Sequence, residues 1–215
     1  MKKLLKKEMS LSASLLTYLF ILFTLMTFIP GYPILMSAFF VCFGIFQSVQ
    51  FSREDNDILF SVLLPVRKRD IVTGKYLFAA VIQMIAFAAV AAFTALRMTV
   101  MSGFRPYTTN ALMNANLAYL GFFLIICALF NTVFLGGFFR TAYYFGKPFV
   151  LFIVVTMIAI FIAEAMHHVP GLERIDSTKP NLIQLIILCA GVLIYAAATV
   201  LSCRTSQKRF EKIDL

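Results

Sequence analysis

Residues 182–203 read LIQLIILCAGVLIYAAATVLSC and contain no charged side chain. Crossing the roughly 30 Å hydrocarbon core of a bilayer takes about 20 residues of helix. A helix also bonds all of its backbone groups internally, which lipid requires. The stretch therefore predicts a transmembrane helix, and it decides the fold class, an all-α membrane protein.

The same pattern recurs along the 215-residue chain, which is 61% hydrophobic and only 13% charged. A soluble domain is usually about half apolar and a quarter charged. The apolar runs are continuous rather than alternating, which excludes a membrane barrel. We predict one transmembrane domain over residues 1–215, with six spans at 11–29, 34–51, 76–96, 114–138, 149–166 and 182–203.

Basic residues give the orientation of these spans. Fifteen of the 19 lysines and arginines flank the spans on one side, and four lie on the other. Loops rich in lysine and arginine stay in the cytoplasm. Both termini are therefore predicted to be cytoplasmic, and the net charge of +9 is assigned to topology rather than to nucleic-acid binding.

The first ten residues place Met1, Leu4, Leu5 and Met9 on one helical face among four lysines. This pattern predicts either a short amphipathic helix in the inner-leaflet interface or a basic flank that only fixes topology. The third span carries Ala88, Ala92 and Ala95, small residues that allow a close helix approach.

The loop between the second and third spans, residues 52–75, reads SREDNDILFSVLLPVRKRDIVTGK. Ser52 and Asp55 have the spacing of a capping box. An apolar helical face follows from Ile58 to Leu63, Pro65 stops the helix, and Asp70 opens the third span. An apolar face on a cytoplasmic helix needs a cover, which is either the membrane surface or another protein.

Residues 63–77, LLPVRKRDIVTGKYL, resemble the loop after the second span of small type-2 ABC exporter permeases. The shared pattern is an upstream acid (Glu54), Leu-Pro, a small apolar residue, a basic residue, an acid, Ile-Val and Lys-Tyr. Arg67 departs from it, because a serine is usual there and would cap the third span. That cap must be rebuilt by another group or by water. Permeases of bacterial peptide-toxin exporters, including the phenol-soluble modulin type, are the nearest subgroup.

The resemblance implies that this loop forms a coupling helix that docks on a separate ABC ATPase subunit. It also implies two permease chains and two ATPase chains, in a homodimeric or paralogous arrangement, in the bacterial cytoplasmic membrane. ATP and magnesium would bind the ATPase and not this chain. The implied contact residues are Glu54, Asp57, Ile58, Leu59, Phe60, Leu63, Leu64, Pro65 and Arg67.

No phosphate-binding loop of the form GxxxxGK[ST] occurs, so we expect no ATPase activity in this chain. We expect no catalytic residue and no metal site, although Glu164 and His167 form an isolated ExxH. Four amides, Gln47, Gln83, Asn131 and Gln184, lie within or near the spans and are expected to bond between helices, with contact to a substrate as the alternative. Candidate residues of an apolar substrate cavity are Phe39, Phe43, Phe46 and Gln47.

The predicted function is therefore export of an amphipathic or hydrophobic substrate, driven by a partner ATPase. The direction of transport comes only from the resemblance. A stand-alone channel or secondary carrier is the alternative, and a membrane enzyme is a third. The substrate itself cannot be read from the sequence.

Overall fold

The computed structural model describes residues 2–55, 57, 61, 63, 66–108, 110–141 and 144–213. These residues are helical or lie in loops. The helices are α1 (Lys2–Lys7), α2 (Leu15–Ile21), α3 (Met36–Glu54), α4 (Lys68–Thr99), α5 (Arg105–Thr108), α6 (Leu117–Phe138), α7 (Gly146–Met166) and α8 (Leu182–Phe210). Within α6, residues Phe130–Leu135 form a π-helical segment.

Four of the described helices are long and apolar enough to cross a membrane, namely α4, α6, α7 and α8. They correspond to the last four predicted spans, and the multi-pass membrane architecture is confirmed. The helix α3 has 19 residues but falls short in hydropathy. Its neighbours cover most of it, so its side chains need less affinity for lipid.

The first predicted span is divided differently from the prediction. A π-helical turn, Glu8–Ser12, continues α1, and Ser14 then caps α2 by accepting a hydrogen bond from Thr17 N at 3.3 Å. The chain continues from α2 as a 3-10 helix, Leu22–Phe28. This run of seven residues is unusual, because the 3-10 helix is generally short.

The core lies where α3, α4 and α6 meet. Fully buried phenylalanines and small residues of these helices pack together, with α7 covering one side and α8 the other. The closest helix approach is between α6 and α8, at Gly121 and Gly191. A Cβ atom on Gly191 would lie 2.5 Å from the carbonyl oxygen of Gly121. The backbones of the two helices are therefore in direct contact.

Arg97, one residue beyond the predicted end of the third span, lies buried within the last turn of α4. Its guanidinium donates to the Thr27 carbonyl at 2.6 Å and to Asn114 Oδ1 at 3.1 Å, and it stacks 4.0 Å from the Tyr107 ring centroid. Asp176 accepts from the backbone N–H of Asn114 at 2.6 Å. These bonds tie the loops together at the end of the bundle opposite to most of the basic residues.

Candidate partner-coupling site

Four charged side chains meet at the basic end of the bundle. We call Lys7, Glu8, Asp57 and Lys75 the four-charge cluster. The Lys75 ammonium lies 2.6 Å from a Glu8 oxygen and 3.0 Å from Asp57 Oδ2. The Lys7 ammonium lies 2.5 Å from Asp57 Oδ1 and 3.4 Å from Glu8. The cluster therefore joins α1, the loop after α3 and the first turns of α4.

The cluster is largely buried, so the stability of the fold depends on its ion pairs. The side chains of Glu8 and Lys75 are 1% and 3% exposed, respectively. Charged side chains at such positions are stable only when paired and hydrogen-bonded. Burial tends to raise the pKa of Asp57, but attraction to Lys75 and bonds from Lys7 outweigh it and hold that pKa below its usual value. Asp57 is thus a carboxylate at neutral pH.

Two serines complete the cluster. Ser52, in the last turns of α3, accepts from Lys75 at 2.6 Å and donates to Asp57 at 2.9 Å. Ser61 accepts from Lys7 at 2.5 Å. The predicted capping box at Ser52 is wrong, because α3 continues through Glu54 and Ser52 lies inside it. Its hydroxyl instead anchors the loop to α4.

The predicted ATPase contact is partly described. Ile58, Leu59, Phe60, Leu64 and Pro65 lie outside the described residues. Glu54 is exposed in the last turn of α3 and accepts from Gln50 at 3.1 Å. Leu63 is 84% exposed. Arg67 is exposed just before α4 and gives it no side-chain cap, as expected for a residue without an acceptor.

The candidate cavity residues lie on α3 beside α7. Phe46 stacks on Phe149 with a centroid separation of 3.6 Å, and Phe39 stacks on Phe152 at 5.9 Å. Phe43 lies 5.8 Å from the Phe149 centroid. Gln47 is half-buried one position further along α3 than Phe46. The three rings thus form an aromatic layer between two helices of this chain, and their role as a substrate cavity stays a prediction.

A buried polar network joins α4, α6 and α8 in the middle of the bundle. Gln83 and Asn131 exchange two amide hydrogen bonds of 3.0 Å each, which confirms the predicted bond between helices. Asn131 also donates to Thr199 at 2.9 Å, and Tyr195 donates to Gln83 at 2.9 Å. The π-helical segment carries Asn131, and such segments are frequent at functional sites.

Replacing Asn131 by leucine is expected to lower the free energy of unfolding by about 1–2 kcal/mol, because Gln83 would lose both of its amide bonds in an apolar interior. Thermal unfolding in detergent micelles measures the loss. Thr132→Val is the matched control, since among the described residues the Thr132 hydroxyl donates only to the Ala128 and Leu129 carbonyls of its own helix. Equal effects of both changes would contradict a stabilising role for the network.

The isolated ExxH lies at the opposite end of the bundle. Glu164 accepts from the backbone N–H of Met113 at 2.8 Å, and His167 Nε2 lies 3.2 Å from the Ala111 carbonyl oxygen. Among the described residues, no three His, Cys, Asp or Glu side chains gather where they could hold a metal ion. Both side chains therefore fix the loop before α6.

Residues 3–211 match the protein family described as ABC-2 family transporter protein. The chain belongs to the ABC-2 transporter family. The match covers every described helix except the first residue of α1, Lys2, and the four-charge cluster lies inside it. Comparisons with curated proteins and with solved structures found no match.

As an ABC-2 family member, the chain is a permease subunit of an ABC transporter, and its partners are an ABC ATPase subunit and the membrane. This assignment favours the permease over a stand-alone channel or carrier. The general family resemblance predicted from the loop is therefore confirmed.

Sequence reasoning missed Glu8 and the buried role of Lys75. Glu8 is the only acidic residue before Glu54 and lies among four lysines, which is the one signal that could have identified it. The sequence identifies Lys75 as a basic flank of the third span and as the lysine of the Lys-Tyr pair in the loop pattern, but not as a buried residue. In this ABC-2 family chain it is the cation at the centre of the cluster.

Proposed function

We propose that this chain is the six-span permease subunit of an ABC exporter in the bacterial cytoplasmic membrane, with both termini in the cytoplasm. ATP and magnesium act on the separate ATPase, and this chain supplies no catalytic group. Two permease chains, identical or paralogous, form the translocation pathway for an amphipathic substrate such as a peptide, an antibiotic or a lipid-like molecule.

The observation that carries the proposal is an apolar side chain held outward from an anchored loop. Leu63 is 84% exposed, whereas Asp57 and Ser61 of the same loop are bonded to the lysines of the four-charge cluster. An exposed leucine on a loop held by buried ion pairs is suited to enter a groove of a partner protein. The coupling-helix assignment extends this contact to the neighbouring residues, from Ile58 to Pro65.

The geometry of the first apolar segment supports a six-span topology. Seven α-helical residues in α2 and seven 3-10 residues after it extend about 24 Å, because a 3-10 helix rises about 2.0 Å per residue. An exposed apolar stripe runs along this segment through Leu15, Leu19, Leu22 and Ile29. The stripe suits contact with lipid or with the second permease chain.

The aromatic layer supports an amphipathic substrate. Phe39, Phe43 and Phe46 offer an apolar surface on α3, and Gln47 adds a polar group at its end. Separation of α3 from α7 during transport would open this surface to an apolar substrate. The α1 helix contributes through Lys7, whose bonds to Asp57 and Ser61 link the helix, in its proposed position at the membrane interface, to the loop that meets the ATPase.

Leu63→Asp is expected to weaken binding of the partner ATPase at least about thirtyfold, because a central apolar contact contributes about 2 kcal/mol or more. Substrate-stimulated ATP hydrolysis should fall with it. Co-purification of the complex and its ATPase rate in proteoliposomes measure the two effects.

Lys208→Asp is the control, since it also introduces an acid at an exposed position of the same end, on α8. The control should retain both binding and activity. Normal co-purification and stimulation by the Leu63→Asp chain would rule out this contact surface.

A further inference from the structure

A cleft of about 840 Å³ opens at the basic end between α6 and α7. Val133 and Gly137 line it from α6, and Lys147, Pro148 and Leu151 line it from α7. The two helices touch at its floor, where a Cβ atom on Gly137 would lie 2.8 Å from Pro148 Cβ. The cleft lies outside the four-charge cluster and outside the aromatic layer.

The lining of the cleft is divided by polarity. Arg140 and Thr141 follow the end of α6, and Lys147 lies in the first turn of α7, so these polar residues form the rim, whereas Val133 and Leu151 lie further along the helices. Leu151 is one helical turn further into the span than Lys147 and is 55% exposed. A ligand that fills this cleft therefore needs an anionic group at one end and an apolar group at the other.

The two cations at the rim have no acidic partner in the described part of the chain. Neither Arg140 nor Lys147 takes part in the ion pairs found there, and no acidic residue stands in the first turn of α7. Both side chains are exposed. Two unneutralised cations above an apolar cleft favour an anion that the membrane itself supplies.

We propose that this cleft binds an anionic phospholipid of the leaflet at the basic end. Its phosphate contacts Arg140 and Lys147, and an acyl chain lies along Val133 and Leu151. Basic pockets between transmembrane helices bind anionic headgroups in this way, with about 1 kcal/mol for each lysine or arginine near the surface. The site does not depend on the partner ATPase or on the transport direction.

The chain has no tryptophan, so Leu151→Trp introduces a single fluorophore into the cleft. The full chain is reconstituted into phosphatidylcholine bilayers that contain brominated phosphatidylglycerol or brominated phosphatidylcholine, and quenching is measured. We expect the relative binding constant of phosphatidylglycerol to exceed that of phosphatidylcholine by up to about thirtyfold, and by at least about threefold. Equal quenching by the two lipids would overturn the proposal.

Two controls isolate the cleft and its charges. Phe161→Trp places the fluorophore near the other end of α7, where the two lipids should quench alike. Arg140→Gln with Lys147→Gln should abolish the preference at Leu151→Trp, whereas Arg204→Gln with Lys208→Gln, an equal charge loss on α8, should leave it unchanged. If both double variants lost the preference for phosphatidylglycerol equally, the preference would reflect general surface charge, and the proposed site would be ruled out.

A third experiment distinguishes a lipid ligand from free phosphate. Inorganic phosphate, added at constant ionic strength, should not displace brominated phosphatidylglycerol, because it has no group for the apolar wall. Displacement would show an anion site without lipid specificity and would overturn the proposal. A second measurement needs no substitution: phosphatidylglycerol in detergent micelles should raise the melting temperature of the unaltered chain more than phosphatidylcholine does. Equal shifts would count against the site.

Discussion

Replacing Lys75 by methionine is expected to lower the free energy of unfolding by about 3–5 kcal/mol. Methionine fills a similar volume but leaves Glu8 and Asp57 buried with Lys7 as their only cation within the four-charge cluster. The Lys7 ammonium is 3.4 Å from Glu8 and 2.5 Å from Asp57, so it neutralises Glu8 poorly. Thermal unfolding in detergent micelles at pH 8 measures the loss.

The pH dependence distinguishes this mechanism from simple loss of packing. In the unaltered chain the pKa of Asp57 is lowered, so its stabilising contribution is complete above its unfolded pKa and is lost as the pH falls through the folded value. In the Lys75→Met chain, the cluster holds two buried carboxylates and one lysine, and protonation of one carboxylate at lower pH relieves the excess negative charge. The variant should therefore recover stability between pH 8 and pH 5.

Further substitutions test the same assignment. Glu8→Gln added to Lys75→Met removes the excess negative charge of the cluster and should restore at least half of the loss. Lys208→Met, at an exposed position of the same end, should change the melting temperature little. If Lys208→Met were as damaging as Lys75→Met, or if the loss did not vary with pH, the cluster would not stabilise the fold through its charges.

The last four spans could be predicted because hydropathy alone defines them. The predicted start of the last span at Leu182 coincides with the start of α8, where Asn181 accepts from Gln184 N at 3.0 Å. The third span was predicted from Tyr76, whereas α4 begins at Lys68. The extra turns are amphipathic and carry Lys75 into a protein interior, which a hydropathy window cannot distinguish from a solvated flank.

The candidate site could be predicted only as a location. The loop after α3 was identified from its charge and apolar pattern, but Glu8 and Lys75 are 67 positions apart in the sequence. Their contact depends on α1 packing against α4, where Leu5 and Met9 contact the core. The spacing of residues within one helix does not indicate which distant charged residue will pair with a charged residue of that helix.

The cluster gives α1 a function beyond topology. Lys7 of α1 contacts Asp57 and Ser61 of the loop that presents Leu63, and Glu8, the next residue, contacts Lys75 of α4. Movement of α1 would therefore move the proposed partner-binding surface. The two alternatives that the sequence left open, an interfacial helix and a basic flank, are therefore both incomplete. Any lipid or partner that displaced α1 would also separate buried charges, which makes the assembled position strongly preferred.

The closest helix approach within this chain lies away from the alanines of the third span, whose close packing against this chain or a second copy stays a prediction. Ala88 and Ala92 are exposed on α4, as is Ala95, whereas the contact between backbones occurs at Gly121 and Gly191. Small residues permit a close approach but do not determine which helix approaches. Only the glycine pair lets the α6 and α8 backbones meet, because even a methyl group would occupy the space of a carbonyl oxygen.

Gly191→Val is accordingly expected to abolish the folded bundle, and Gly191→Ala to lower the free energy of unfolding by about 1–3 kcal/mol. The Cβ atom would lie 2.5 Å from the Gly121 carbonyl oxygen and 2.7 Å from its Cα, both of which are backbone atoms that no side-chain rotation can move. Alanine gains up to about 1 kcal/mol of helix propensity over glycine, which the clash exceeds. Size-exclusion chromatography and thermal unfolding in micelles measure the two variants.

Gly103→Ala is the matched control, since a Cβ atom there meets nothing within 4 Å. It should leave the melting temperature unchanged or slightly raised, because the loop loses freedom in the unfolded chain. The reciprocal change, Gly121→Ala, should be as damaging as Gly191→Ala, as its Cβ atom would lie 2.5 Å from the Ile187 carbonyl oxygen. If neither alanine variant lowered the free energy of unfolding, α6 and α8 would not touch through their backbones. The hydrogen bond that joins these helices through Asn131 and Thr199 would then need another explanation.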